Sequence, residues 1–163
     1  MSSLALEFQL VVMPGVAVDL DAKRIRRMAE FVLQTENESG EWEIALVLTT
    51  DPHLRELHRD FMGIDAETDV MTFPAETDAA APARGGDIVV SVDRAREQAP
   101  LYDNSLDQEL EFLAVHGLLH LCGWDDVEPD NRAKMLSRQT ELLQEFNLAE
   151  MDQPERDGEH PRR

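Results

Sequence analysis

The sequence predicts an α+β fold: a single domain with a small mixed four-stranded sheet and helices packed on it. Three observations carry this. Residues 4–12, 42–48 and 85–92 alternate or run apolar over lengths typical of strands. Between and after them come longer segments whose apolar residues recur at helical spacing. The order is strand, helix, strand, helix, two strands, helix, helix, with no internal repeat and no second domain boundary. At 163 residues the chain is long enough to bury roughly 68–70% of its unfolded surface and so to build a core without staples.

Each element has its own justification. Leu4, Leu6, Phe8, Leu10 and Val12 share one face of the first strand, and Met13-Pro14-Gly15 ends it. Ile25, Met28, Ala29, Val32 and Leu33 follow at helical spacing, with Asp19 or Asp21 available as N-cap. After a connection over 36–41, Trp42, Ile44, Leu46 and Leu48 alternate again. The apolar Ala45 and Val47 between them predict a strand covered on both faces. Thr50-Asp51-Pro52 opens a helix whose inner face is Leu54, Leu57, His58 and Phe61, and Gly63 stops it. Residues 69–74 form a short strand, 75–84 a mobile loop, and 85–92 a buried strand. Ser105 with Gln108 three residues on is a capping box for a helix running to Cys122 and Gly123. A last helix starts near Asp130 and carries Met135, Leu142, Leu143 and Phe146. The domain is expected over 1–148, with a disordered acidic tail over 149–163.

Composition narrows the function classes. No run of 18 apolar residues exists, and the first residues lack the basic and apolar regions of a signal peptide, so a cytoplasmic protein is expected. The lone Cys122 rules out an intramolecular disulfide. With 34 acidic against 15 basic residues the net charge is −19. Taken as a bulk number, that charge argues against nucleic acid, whose phosphates are bound mainly through Lys and Arg.

Of the five histidines, His53, His58 and His160 read as surface or structural residues. His116 and His120 are four apart on a predicted helix, so both side chains leave one face about a turn apart and can share a metal ion. Gly117 between them leaves room above the helix, Gly123 breaks it, and Trp124-Asp125-Asp126 turns the chain back. Asp126 can then complete a three-ligand set with an open position for water. The competing reading is a pair of core histidines bonded to backbone, with Asp125 and Asp126 as turn residues. Gly117 also stands where an H-E-x-x-H metalloprotease has its glutamate base, which disfavours a protease.

The segment H-G-L-L-H-L-C-G-W-D-D (116–126) resembles the signature of the YbeY family, the bacterial rRNA-maturation endoribonucleases. G-I-D-A-E-T-D-V-M-T-F-P (63–74) and G-G-D-I-V-V-S (85–91) resemble two further family segments, in family order, and together the matches cover about residues 42–146. The resemblance implies a single α+β domain, a three-ligand metal usually taken to be zinc, and a role in small-subunit rRNA 3′-end processing and ribosome quality control. It implies His116, His120 and Asp126 as ligands, with rRNA, the small subunit and ribosomal or assembly proteins as partners. Three departures stand out. Asp126 occupies the family's third histidine position, which keeps zinc ligation feasible but admits iron or manganese. Met62 occupies the position of an arginine linked to catalysis, and Arg59, one helical turn earlier, is the substitute candidate, ahead of Arg84. Glu67 replaces a proline.

The expected chemistry is metal-assisted cleavage of RNA phosphodiesters, with His116 and Arg59 as catalytic candidates and Asp125 orienting the turn or a ligand imidazole. Two alternatives stay open: another metal-dependent hydrolase on this scaffold, and a non-catalytic ribosome-assembly protein. Charge distribution softens the argument against RNA. Lys23, Arg24, Arg26 and Arg27 cluster on one helix, Arg55 and Arg59 on another, and Arg132, Lys134 and Arg138 follow the motif. Between Arg96 and Arg132 there is no Lys or Arg, while eight acids fall from Asp103 to Asp130, so phosphate would be met by the metal and by flanking arginines. Thirteen of the 15 basic residues are arginine, a bulk acidity that resembles adaptation to a salt-rich cytoplasm.

Overall fold

The computed structural model describes residues 3–152. The chain order is β1 (Leu4–Val12), α1 (Ala22–Thr35), β2 (Gly40–Thr49), α2 (Asp51–Met62), β3 (Val70–Pro74), β4 (Arg84–Ser91), α3 (Val92–Gln98), a short 3-10 turn (Ala99–Tyr102), α4 (Leu106–Leu121) and α5 (Pro129–Met151). The four strands lie in the order β1-β2-β4-β3. β1 pairs with β2 and β2 with β4 in parallel, while β3 is antiparallel to β4. The mixed sheet on one α+β domain is therefore as the sequence predicts.

Local chemistry sets the element ends. Asp21, of the two cap candidates, accepts from the backbone N–H groups of Lys23 and Arg24 at 3.1 and 3.2 Å. Thr50 caps α2, and Gly63 ends it in the left-handed conformation at φ 71°. Gly85 and Gly86 have φ of 116° and 146°. A Cβ there would stand 2.2 Å from the Glu43 carbonyl oxygen and 2.1 Å from that of Phe73. Only glycine lets β4 pass between its two neighbours at that point.

The main core lies on one face of the sheet. Trp42, Ile44, Leu46, Leu48, Ile88 and Val90 meet α1 through Met28 and Val32, α4 through Leu110 and Leu118, and α5 through Met135 and Phe146. On the other face, Leu54 of α2 packs with Met71 and Val89, supported by Val47, Leu57 and Phe73. That second layer covers only one end of the sheet. Glu7, Glu43 and Asp87 stay exposed beyond it, so β2 is covered on both faces over its second half alone.

Two further differences from the sequence reading have simple causes. α3 follows directly on β4, capped by Ser91. Its seven residues bury only Val92 and Ala95, too few apolar positions to show a period. α5 continues to Met151, past residue 148, and residues 153–163 of the expected tail lie outside the described residues.

Candidate metal centre

From Phe112 to Leu121, α4 is apolar except for His116 and His120 and lies between the sheet and α5, so those two side chains are conspicuous. Its capping box, Ser105 with Gln108, forms as predicted. Gly117 does not leave a void above the helix. A Cβ there would be 2.5 Å from Cγ2 of Ile88, so the missing side chain lets α4 sit directly on β4 and holds His116 and His120 at fixed height above the sheet. Gly123, at φ 101°, ends the helix, and the return turn brings Asp126 back over it.

The three predicted ligands converge. His116 Nε2 and His120 Nε2 are 3.1 Å apart, and Asp126 Oδ2 lies 3.3 Å from the first and 3.5 Å from the second. Tetrahedral zinc with bonds of about 2.0–2.2 Å requires ligand atoms roughly 3.3–3.5 Å apart. The two distances to Asp126 fall in that range, and the two Nε2 atoms stand about 0.2 Å closer than it.

Proton placement supports the same use. The Trp124 carbonyl oxygen can only accept, so His120 Nδ1, at 3.0 Å, donates to it. Gln139 is fully buried. Its amide nitrogen donates to the Phe112 carbonyl at 3.3 Å, leaving its oxygen to accept from His116 Nδ1 at 2.9 Å. In the neutral tautomers that these bonds favour, both imidazoles turn Nε2 lone pairs toward one another and toward a carboxylate. Three acceptors held this close lack a shared proton, which is the donor set a cation satisfies. The backbone-bonded alternative for the histidines describes only the outer nitrogen of His120.

Neighbours hold the frame. Glu36, at the end of α1, accepts from Trp124 Nε1 at 2.7 Å and from Arg138 Nε at 2.8 Å, tying the return turn to two helices. Asp125 is exposed and accepts from the Val127 N–H at 3.1 Å, so it shapes the turn rather than touching an imidazole.

The triangle opens on a groove of about 500 Å³ lined by His58, Met62, Thr68, Asp69, Val70, Met71, Thr72, Pro74 and the three ligands. β3 forms its floor. Ser91 N bonds the Asp69 carbonyl and Ala75 N bonds that of Gly85, so the backbone groups of Val70 and Thr72 point away from β4, to the free edge.

Arg59 is not brought to this groove. It is half exposed, pairs with Asp60 at 3.3 Å, and lines a separate depression with Asp51, Arg55 and Glu67. Arg84 pairs with Glu38 at 2.8 Å and covers the Trp42 ring. The residue the sequence reading passed over is His58, which shares a helix face with Met62 and lines the groove. Its Nδ1 donates to the Ala66 carbonyl at 2.9 Å, which orients the ring. Only its i, i+4 spacing with Met62 pointed there. His53 pairs with Thr49 at 2.7 Å, a structural role, and His160 lies outside the described residues.

Most of the clustered arginines are also committed. Arg24 holds Glu111, Arg27 holds Glu150, Arg55 holds Asp65 and Arg138 holds Glu36. None of the described residues lining the groove is Lys or Arg.

Comparison with known proteins agrees with this geometry. A relative from Oceanobacillus iheyensis, "Endoribonuclease YbeY", is 39% identical over 133 residues, covering 76% of this chain and 86% of its own. The protein of the same name from Bacillus subtilis is 33% identical over 135 residues, covering 77% and 86%. A solution structure from Thermotoga maritima, 24% identical, covers 94% of this chain and 98% of its own with a TM-score of 0.56, an agreement in fold. The family model described as "Endoribonuclease YbeY" matches residues 16–147, a span that contains every groove residue. On that breadth of match, the chain belongs to the YbeY family.

Proposed function

We propose that the protein is a metal-dependent endoribonuclease that cuts single-stranded rRNA late in 3′-end maturation of the small ribosomal subunit, in the cytoplasm. One observation carries the reading: the triangle of His116, His120 and Asp126, with its outer nitrogens already protonated and hydrogen-bonded. Zinc is the first candidate for the ion because the two imidazoles and one carboxylate suit it and two of the three separations fit its tetrahedral geometry, and the carboxylate also admits iron or manganese. A divalent ion there supplies Lewis-acid polarisation of a phosphoryl oxygen and acidifies water.

The chain's own residues do the rest. His116 and His120 donate their Nδ1–H groups to the Gln139 and Trp124 oxygens, which turns both Nε2 atoms toward the place an ion would occupy. Asp126 brings a negative charge to the ligand set where a third histidine would be neutral. His58, rather than Arg59, is the basic side chain that faces the groove, and its Nε2 is placed to contact a phosphate oxygen or the leaving oxygen. The Val70 and Thr72 backbone groups on the free β3 edge offer hydrogen bonds to a substrate lying along it.

Family membership favours the ribonuclease over a generic hydrolase or a non-catalytic assembly factor. The test is metal analysis and cleavage of a single-stranded rRNA 3′-precursor by protein purified without chelator. About one equivalent of metal and cleavage that His120→Ala abolishes are expected. Unchanged metal content and cleavage in His120→Ala would reject the site. Hydrolysis of generic esters with RNA left intact would select the broader hydrolase.

A further inference from the structure

We propose that the exposed end of α2, formed by Phe61, Met62 and Ile64, is a stacking platform for unpaired bases of an RNA strand whose backbone lies along the groove beside the metal triangle. The inference rests on the ribonuclease reading and adds what holds the substrate.

These three side chains are 67%, 61% and 47% exposed within four residues of chain. A soluble protein rarely leaves such a group in water without a use. Phe61 is not loose: it meets Phe73 edge-on, with centroids 5.3 Å apart at 74°, so the ring is held while most of its surface faces solvent. Met62 lines the same groove as His116, His120 and Asp126, which makes the patch continuous with the candidate centre.

Charge selects the occupant's binding mode. Among the described residues the groove lining contains no Lys or Arg, and the arginines on α2, Arg55 and Arg59, are paired with Asp65 and Asp60. A net charge of −19 repels phosphate further. Backbone affinity, which usually dominates RNA binding, is therefore small here. Beyond the contacts at the candidate metal and the β3 edge, binding must come from the bases, and base stacking on aromatic and apolar side chains is available only where bases are unpaired. A paired helix keeps its bases stacked inside and offers the patch only phosphate and ribose.

The experiment uses the metal-loaded full chain and a fluorescein-labelled single-stranded RNA oligonucleotide of the precursor sequence, followed by anisotropy and by cleavage. Phe61→Ala should weaken binding and raise KM about fivefold or more, with a smaller effect on kcat, and Phe61→Tyr should restore both. Abasic positions beside the scissile bond should lose affinity for the wild type and little for Phe61→Ala. The slope of log affinity against log salt should be shallower than about −1.5, that is about two phosphates at most. Equal affinity in Phe61→Ala, equal binding of duplex RNA, or a steep salt slope would overturn the proposal. So would a shift from dimer to monomer in Phe61→Ala by sedimentation, since the patch would then be a contact between copies. Wild-type cleavage with an indifferent Phe61→Ala rejects the platform alone. A wild type that neither binds nor cuts RNA rejects the ribonuclease reading as well.

Discussion

Two polar clusters hang on α4, five residues apart, and they are built on opposite principles. At Glu111, buried against α1 and α5, the carboxylate meets Arg24 through two hydrogen bonds of 2.8 and 3.1 Å, and the same guanidinium reaches Asn147 at 2.6 Å and lies 5.0 Å from the Phe146 ring centre. Donors face acceptors, and the group is complete in itself. At His116, His120 and Asp126 acceptors face acceptors across 3.1 to 3.5 Å. The first cluster fastens three helices, while the second leaves a place for a cation. The comparison teaches that complementarity, rather than the number of charged groups, separates a structural polar cluster from a binding one.

Breaking the complete cluster should have the largest effect on stability. Arg24→Ala leaves Glu111 buried without its partner and is expected to cost about 3–5 kcal/mol. Urea unfolding checks this, and metal stoichiometry should not change. Replacing both partners by apolar residues, Arg24→Met with Glu111→Leu, should recover much of the loss, because no unpaired charge remains.

Weakening the support of the open cluster should act on metal rather than on folding. Gln139→Leu removes the acceptor for His116 Nδ1 and frees the ring's tautomer. We expect a roughly 10–100-fold loss of metal affinity, read by competition with a chromogenic chelator. An affinity equal to wild type would show that Gln139 serves packing alone. Gly117→Ala should sit between the two clusters. Its Cβ collides with Ile88, an overpacking expected to cost about 1–3 kcal/mol and to displace both histidines.

The smallest effect is expected at Cys122, which follows the second histidine by two residues. Burial, reinforced by Glu38 and Glu36, pushes its thiol up to about 12, so it stays protonated near neutrality. Because the folded value lies above the unfolded one, this thiol favours the folded state fully below about pH 9, and that contribution fades as pH rises toward 12. Alkylation of the native protein at pH 8.5 should be at least about a hundredfold slower than that of the unfolded chain. Cys122→Ser should bind the same metal.

Much of this was legible in one sequence. The strands and long helices are visible because apolar period and cap chemistry agree, as at Ser105 and Gln108 or Thr50 and Gly63. The ligand set was legible because two ligands are neighbours on one helix and the third follows within a single turn. Arg59 was misplaced for the converse reason. One helical turn separates it from Met62, but only Met62 and His58 line the groove, and which arc of a helix faces a site is set by what the helix packs against. Gln139 was invisible, since it lies 23 residues from the histidine it orients and a lone glutamine in an amphipathic helix carries no signal.

The sequence by itself determined the strands and long helices, the family resemblance and the three converging candidate ligands, all of them consequences of local periodicity and short spacing. Only the tertiary structure decided what the charges do. Net charge is a sum over the chain, whereas binding depends on which charges are left unpaired at one surface. Pairing of the arginines with distant acids, the donation of both Nδ1 protons and the bare groove are products of packing between α1, α2, α4 and α5. No count of residues contains them.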